Sequence, residues 1–103
     1  MIIHVTNARY LSGYQFEVTF TDGRTGVADL NDSLKGAVVF EALRDPAFCA
    51  RGTLDSEIGT IVWPNGADMA PEYFYYLAFR DDEGLADLFR EWGYLRETSA
   101  ATR

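Results

Sequence analysis

The sequence of 103 residues has little of what most protein chemistry is built from. It holds one histidine, one cysteine, and 9 basic residues against 16 acidic ones. A lone cysteine excludes an internal disulfide. With one His and one Cys, a zinc or iron site would have to be mostly carboxylate, a donor set those ions seldom use. A nucleophilic Ser or Cys needs a base beside it. His4 sits among isoleucines and a valine and reads as a strand histidine. Cys49 has no His or Lys near it in sequence and reads as a small buried hydrophobe. No catalytic residue, metal ligand or cofactor is assigned on these grounds.

The glycines are scattered, and no phosphate-cradling G-x-G-x-x-G or P-loop spacing appears. Asp29, Asn31 and Asp32 lack the glycine and distal glutamate of a calcium loop. The net charge is −7. Nucleic-acid affinity rests largely on Lys and Arg displacing counterions, and no basic stripe is present. Direct nucleic-acid contact is therefore not expected, and a small basic protein or a second copy is the favoured partner. No apolar run approaches the roughly 20 residues needed to cross a bilayer, so no membrane contact is expected. The start lacks the order of a signal peptide, and a cytoplasmic protein is expected.

Apolar residues make up 48% of the chain and aromatics 15%, enough for one aromatic-rich core in a single domain. The pattern predicts an α+β fold: a small antiparallel sheet of two hairpin-like strand pairs, short helices between them, and a C-terminal helical segment. A first strand begins near Ile3. Residues 14–20 alternate apolar and polar, as a strand with one buried face does. Asp22-Gly23 predicts a hairpin and a return strand to Leu30. A two-residue loop would pair Phe16 with Asp29 and push a carboxylate coreward. A three-residue loop through Arg24 pairs Phe16 with Leu30 and is the expected register.

Short helical turns follow, with Val39, Phe40 and Leu43 on one face, then a fresh start at Asp45-Pro46, an N-cap followed by proline. Residues 53–57 and 60–63 form the second extended pair. Trp63-Pro64-Asn65-Gly66 is turn chemistry. Asp68 is expected to satisfy free amides there or at the start of the next helix, and Pro71 and Glu72 suit that helix's first turn. The helix 71–79 is apolar on two sides, with Tyr75 and Phe79 opposite Tyr73, Phe74 and Leu77. Leu85, Leu88, Phe89 and Trp92 form a second helical stripe stopped at Gly93. The division expected is a domain over 1–79 and a helical extension over 80–103, packed on that domain or on a partner. Residues after Glu97 read as frayed.

Several of these residues carry a resemblance. Phe20-x-Asp22-Gly23, Gly26-x-x-Asp29-Leu30, Val39-Phe40-x-x-Leu43-x-Asp45-x-x-Phe48, and Gly59-Thr60-Ile61-x-Trp63-Pro64-Asn65-Gly66-Ala67-Asp68 with a following Pro71 resemble the bacterial family catalogued as domain of unknown function 2442. The resemblance spans about residues 3–77. It implies a small α+β domain and supplies no catalytic residues. Some longer relatives continue into a helix-turn-helix DNA-binding domain, and others are encoded beside a second small protein, as toxin–antitoxin pairs are. The reading that follows is a protein-binding module, antitoxin-like or a regulatory partner subunit. Tyr75, Phe79, Leu88 and Trp92 are its candidate contact or self-association patch. The alternative is a small enzyme or ligand-binding domain with a cleft at Trp63, Asp68 and Glu72.

Overall fold

The computed structural model describes residues 2–35 and 37–95. Strands β1 (Val5–Ser12), β2 (Gln15–Phe20) and β3 (Thr25–Asp29) form an antiparallel sheet in that order. Two single-turn helices follow, α1 (Val38–Glu41) and α2 (Pro46–Cys49). Strands β4 (Thr53–Asp55) and β5 (Thr60–Val62) make a second, two-stranded sheet. Helices α3 (Pro71–Phe79) and α4 (Ala86–Trp92) complete an α+β architecture. The Val5 N–H donates to the Gly59 carbonyl at 2.8 Å, joining the turn of the second sheet to the edge of the first.

The β2–β3 register differs from both alternatives the sequence offered. Phe16 pairs with Ala28, Glu17 with Val27 and Val18 with Gly26. The loop is three residues, but it runs 21–23 rather than through Arg24. Phe20 N–H donates to Arg24 O at 3.0 Å and Gly23 N–H to Phe20 O at 2.9 Å, with Gly23 at φ 87°. A turn followed by a left-handed residue is the usual three-residue hairpin, and glycine takes that third position without a Cβ penalty. This register keeps Phe16, Val18, Ala28 and Leu30 at 1% exposure or less. It also sets Glu17 opposite a valine instead of opposite Asp29, which removes the like-charge pair.

The inner face of the first sheet is covered in two halves. Trp63, after β5, meets Phe16 edge-on at 6.0 Å. Helix α3 lies under β3, so close that a Cβ on Gly26 would stand 2.7 Å from the Phe79 ring. Asp45 caps α2 as expected, accepting from Ala47 N–H at 3.0 Å ahead of Pro46. Leu43 and Cys49 are fully buried, but Val39 is 42% exposed, contrary to its place on the predicted core face. A helix of four residues cannot turn every apolar side chain inward. Gly93, at φ 89°, ends α4 in the left-handed conformation as expected. The expected fraying beyond Glu97 lies outside the described residues.

Candidate functional site

The loop 64–66 repeats the backbone of the loop 21–23. Trp63 N–H donates to Ala67 O and Gly66 N–H to Trp63 O, both at 2.9 Å, with Gly66 at φ 87°. Asn65 spends both ends of its amide. Its Oδ1 accepts from Ala67 N–H at 3.1 Å, and its Nδ2 donates to the Val39 carbonyl of α1 at 3.0 Å. Trp63 is 3% exposed, and its indole N–H donates to the Cys49 carbonyl at 2.8 Å. The ring and its one polar atom are thus committed to the interior. Asp68 is exposed and forms an isolated bridge with Val62. The expected capping by Asp68 does not occur, because Ala70 is the N-cap of α3 and no side chain accepts there. Pro71 at the first position removes one of the free amides a cap would serve. Glu72 is half-buried in the first turn of α3. No pocket opens among the described residues. None of their buried side-chain nitrogens or oxygens lacks a partner.

Of the four residues assigned to a contact patch, Tyr75, Phe79 and Trp92 meet in one aromatic layer, and Leu88 packs against the core beside them. Tyr75 is 2% exposed. Its ring lies 5.0 Å from Phe20, 4.8 Å from Phe79 and 6.0 Å from Trp92, edge-on to each. Phe79, Leu88 and Trp92 are partly buried against the core. Phe89, fully buried, meets Tyr76 at 5.2 Å. Helix α4 therefore folds back over the second apolar side of α3 within the same molecule.

A polar clasp at the β2–β3 hairpin tip holds this layer, and it was not foreseen from the sequence. The Tyr75 hydroxyl donates to Asp22 Oδ2 at 2.8 Å. The Arg24 guanidinium stands 4.2 Å from the Phe79 ring centre and donates to Asp82 Oδ2 at 3.1 Å and to the Tyr75 hydroxyl at 3.4 Å. Asp82 Oδ1 also caps the turn before α4, accepting from Gly84 N–H. The carboxylate of Asp82 raises the Arg24 pKa further above its ordinary value, and burial raises that of Tyr75. Partners 51 to 58 residues apart leave no local signal in a sequence.

Elsewhere, burial pushes the Cys49 thiol up to about 11, so it is no activated nucleophile. His4 is exposed, and its ring covers Gly59, where a Cβ would sit 2.9 Å from it. Among the described residues, no cluster of three His, Cys, Asp or Glu side chains is placed to hold a metal. No described helix is long and apolar enough to cross a membrane.

A family described as Protein of unknown function (DUF2442) matches residues 5–80. No curated protein matches. The fold matches the crystal structure of a "Putative DNA Binding Protein" from Nitrosomonas europaea at a TM-score of 0.69 and 21% identity, over 98% of this chain and 67% of that one. At that identity the likeness concerns the fold. It nonetheless overturns the exclusion of nucleic acid drawn from composition. A whole-chain charge sum averages over the surface, whereas phosphate contact needs only a local group of cations.

Proposed function

This chain belongs to the DUF2442 family of proteins of unknown function, and we propose that it acts as a protein-contact module of a DNA-binding regulator. One observation carries the reading. Val38 is 82% exposed and its neighbour Val39 42%, on a short helix fixed in place by the Asn65 amide. Scattered exposed apolar residues are ordinary. An adjacent pair on a helix whose backbone is tied to the turn at 63–66 by the Asn65 amide is what a recognition surface requires. The regulatory partner subunit and the antitoxin-like partner would both use such a surface. The DNA side of the proposal draws on the Nitrosomonas protein of the same fold, a third of which lies outside the match.

The test is recovery of a partner from the native cell extract on tagged wild-type protein and on a Val38→Glu/Val39→Glu variant. Far-UV circular dichroism and melting serve as the folding control. The expected result is a stoichiometric partner on wild type, lost from the folded variant, in a complex that retards labelled DNA from the protein's own locus. Equal recovery on both proteins, or a complex without DNA affinity, sinks the proposal.

A further inference from the structure

The two edges of the three-stranded sheet are built differently. The β1 edge is broken by register shifts between Val5 and Asn7 and between Tyr10 and Ser12, and Gly59 occupies the Val5 N–H. Bulges and covering turns spoil an edge as a template for further strands. The β3 edge has neither device. Its pairing with β2 is regular from Thr19↔Thr25 to Gln15↔Asp29, and it carries no lysine or proline.

The hydrogen-bond phase fixes which groups face outward. Phe20 bonds Arg24, and Leu30 N–H donates to Tyr14 O at 3.0 Å. Bonded pairs alternate with unbonded ones in an antiparallel ladder. Arg24, Gly26, Ala28 and Leu30 therefore turn their amides to β2, while Thr25, Val27 and Asp29 turn theirs to the open side. Among the described residues nothing pairs with those three amides and carbonyls. Thr25 is exposed and Val27 45% exposed, so the edge is reachable.

We infer that the β3 edge pairs with β3 of a second copy of this chain, antiparallel about a two-fold axis through Val27. The register is self-complementary. Val27 meets Val27 at the axis, and Thr25 meets Asp29 of the other copy on each side. All three outward residues thus fall at bonded pairs, each exchanging two backbone hydrogen bonds. The side chains agree on the outer face: valine packs on valine, and Thr25, whose hydroxyl meets Thr19 at 2.8 Å, stands opposite the Asp29 carboxylate, which accepts from Asn31 N–H and from Gln15 within its own chain. No like charges face each other, although Asp29 is acidic in both copies. A slip by two residues would lose one bonded pair and set Asp29 against an unmatched neighbour. The row Arg9–Glu17–Val27, already joined by the 3.2 Å Arg9–Glu17 ion pair, then runs on through its mirror across six strands, three from each copy. Each chain carries −7, so the copies repel at long range, and added salt strengthens the pairing by screening. This inference does not depend on the proposed function.

Sedimentation of the full chain, as a concentration series into the millimolar range at low and high salt, tests it. The expected result is a shift from 11.6 kDa toward twice that mass, at lower concentration when salt is high. Val27→Pro and Val27→Lys both spare the fold, since the Val27 amide does not serve β2 and the side chain is exposed. Both variants remain monomeric under all conditions. Single cysteines probe the register. Val27→Cys is joined to itself by a short thiol crosslinker across about 5.5 Å between Cα atoms. Thr25→Cys, about 14 Å from its own counterpart, is not. A wild type that stays at 11.6 kDa throughout, or a dimer unaffected by the Val27 variants, overturns the inference. Equal crosslinking of the two cysteine variants overturns the register.

Discussion

The loops 21–23 and 64–66 share one backbone and do different work. Each follows a buried ring (Phe20 or Trp63), closes with the same pair of main-chain bonds, and ends on a glycine at φ 87°. In each the middle residue accepts from the amide two positions on, Asp22 from Arg24 and Asn65 from Ala67. They part at the remaining side-chain atom. Asp22 has only acceptors and takes the Tyr75 hydroxyl, tying its loop to the helical layer. Asn65 has an amide donor and gives it to the Val39 carbonyl, tying its loop to α1. The backbone problem is solved twice in the same way, and one atom decides which element each loop holds.

The largest effect tests the shared part. Trp63→Ala and Phe20→Ala each remove a ring at 3% or 1% exposure, and each lowers stability by about 3–5 kcal/mol in urea titration. A loss well under that at either site would mean its loop is not anchored by its ring. The next test reads the side-chain difference. Asn65→Asp keeps the acceptor for Ala67 but sets a carboxylate against the Val39 carbonyl, costing about 1–3 kcal/mol. Asp22→Asn costs less than about 1 kcal/mol, because the Tyr75 hydroxyl can rotate to accept from the new amide. Equal losses would erase the distinction between the loops. The glycine effect falls between these two. Gly23→Ala and Gly66→Ala meet no atom within 4 Å, so each pays only for the left-handed backbone, about 1–2 kcal/mol. The two values agree if the turns are the same turn.

What could be read in advance follows the range of each interaction. The Asp45-Pro46 cap, the span of α3 and the stop at Gly93 are local chemistry, and all three stand where the sequence put them. The α+β class followed from strand alternation and helical stripes in the same way. The hairpin register failed by a short distance. Asp22-Gly23 announced a turn and the loop has the expected three residues, but it starts one residue earlier, at Thr21, because Gly23 takes the left-handed third position. Asp68 was assigned a capping role that Pro71 makes partly redundant. The site residues were harder. Tyr75 and Phe79 could be a contact surface or the seat of the next helical stripe, and the choice rests on the path of the connection to α4, which carries no pattern of its own. The Asn65–Val39 bond spans 26 residues, and nothing in either segment announces it.

The smallest predicted effect divides the loops dynamically. The Arg24–Asp82 pair has 41% and 39% of its side chains exposed, so solvent and salt screen it. With the Phe79 contact included, Arg24→Ala costs about 0.5–1 kcal/mol. Its signature is where the molecule loosens rather than how far it melts. Arg24 and Asp82 hold the start of the connection to α4, while Asp82 keeps its own cap on Gly84 in the variant. Amide exchange should therefore quicken over Ala86–Trp92 and stay unchanged over Val38–Glu41. Asn65→Asp should do the reverse, quickening α1 and sparing α4. Exchange that rises everywhere in both variants would mean the two loops brace one cooperative unit. Exchange that rises in opposite segments means each loop guards its own, and α1 can yield to a partner without opening the aromatic core.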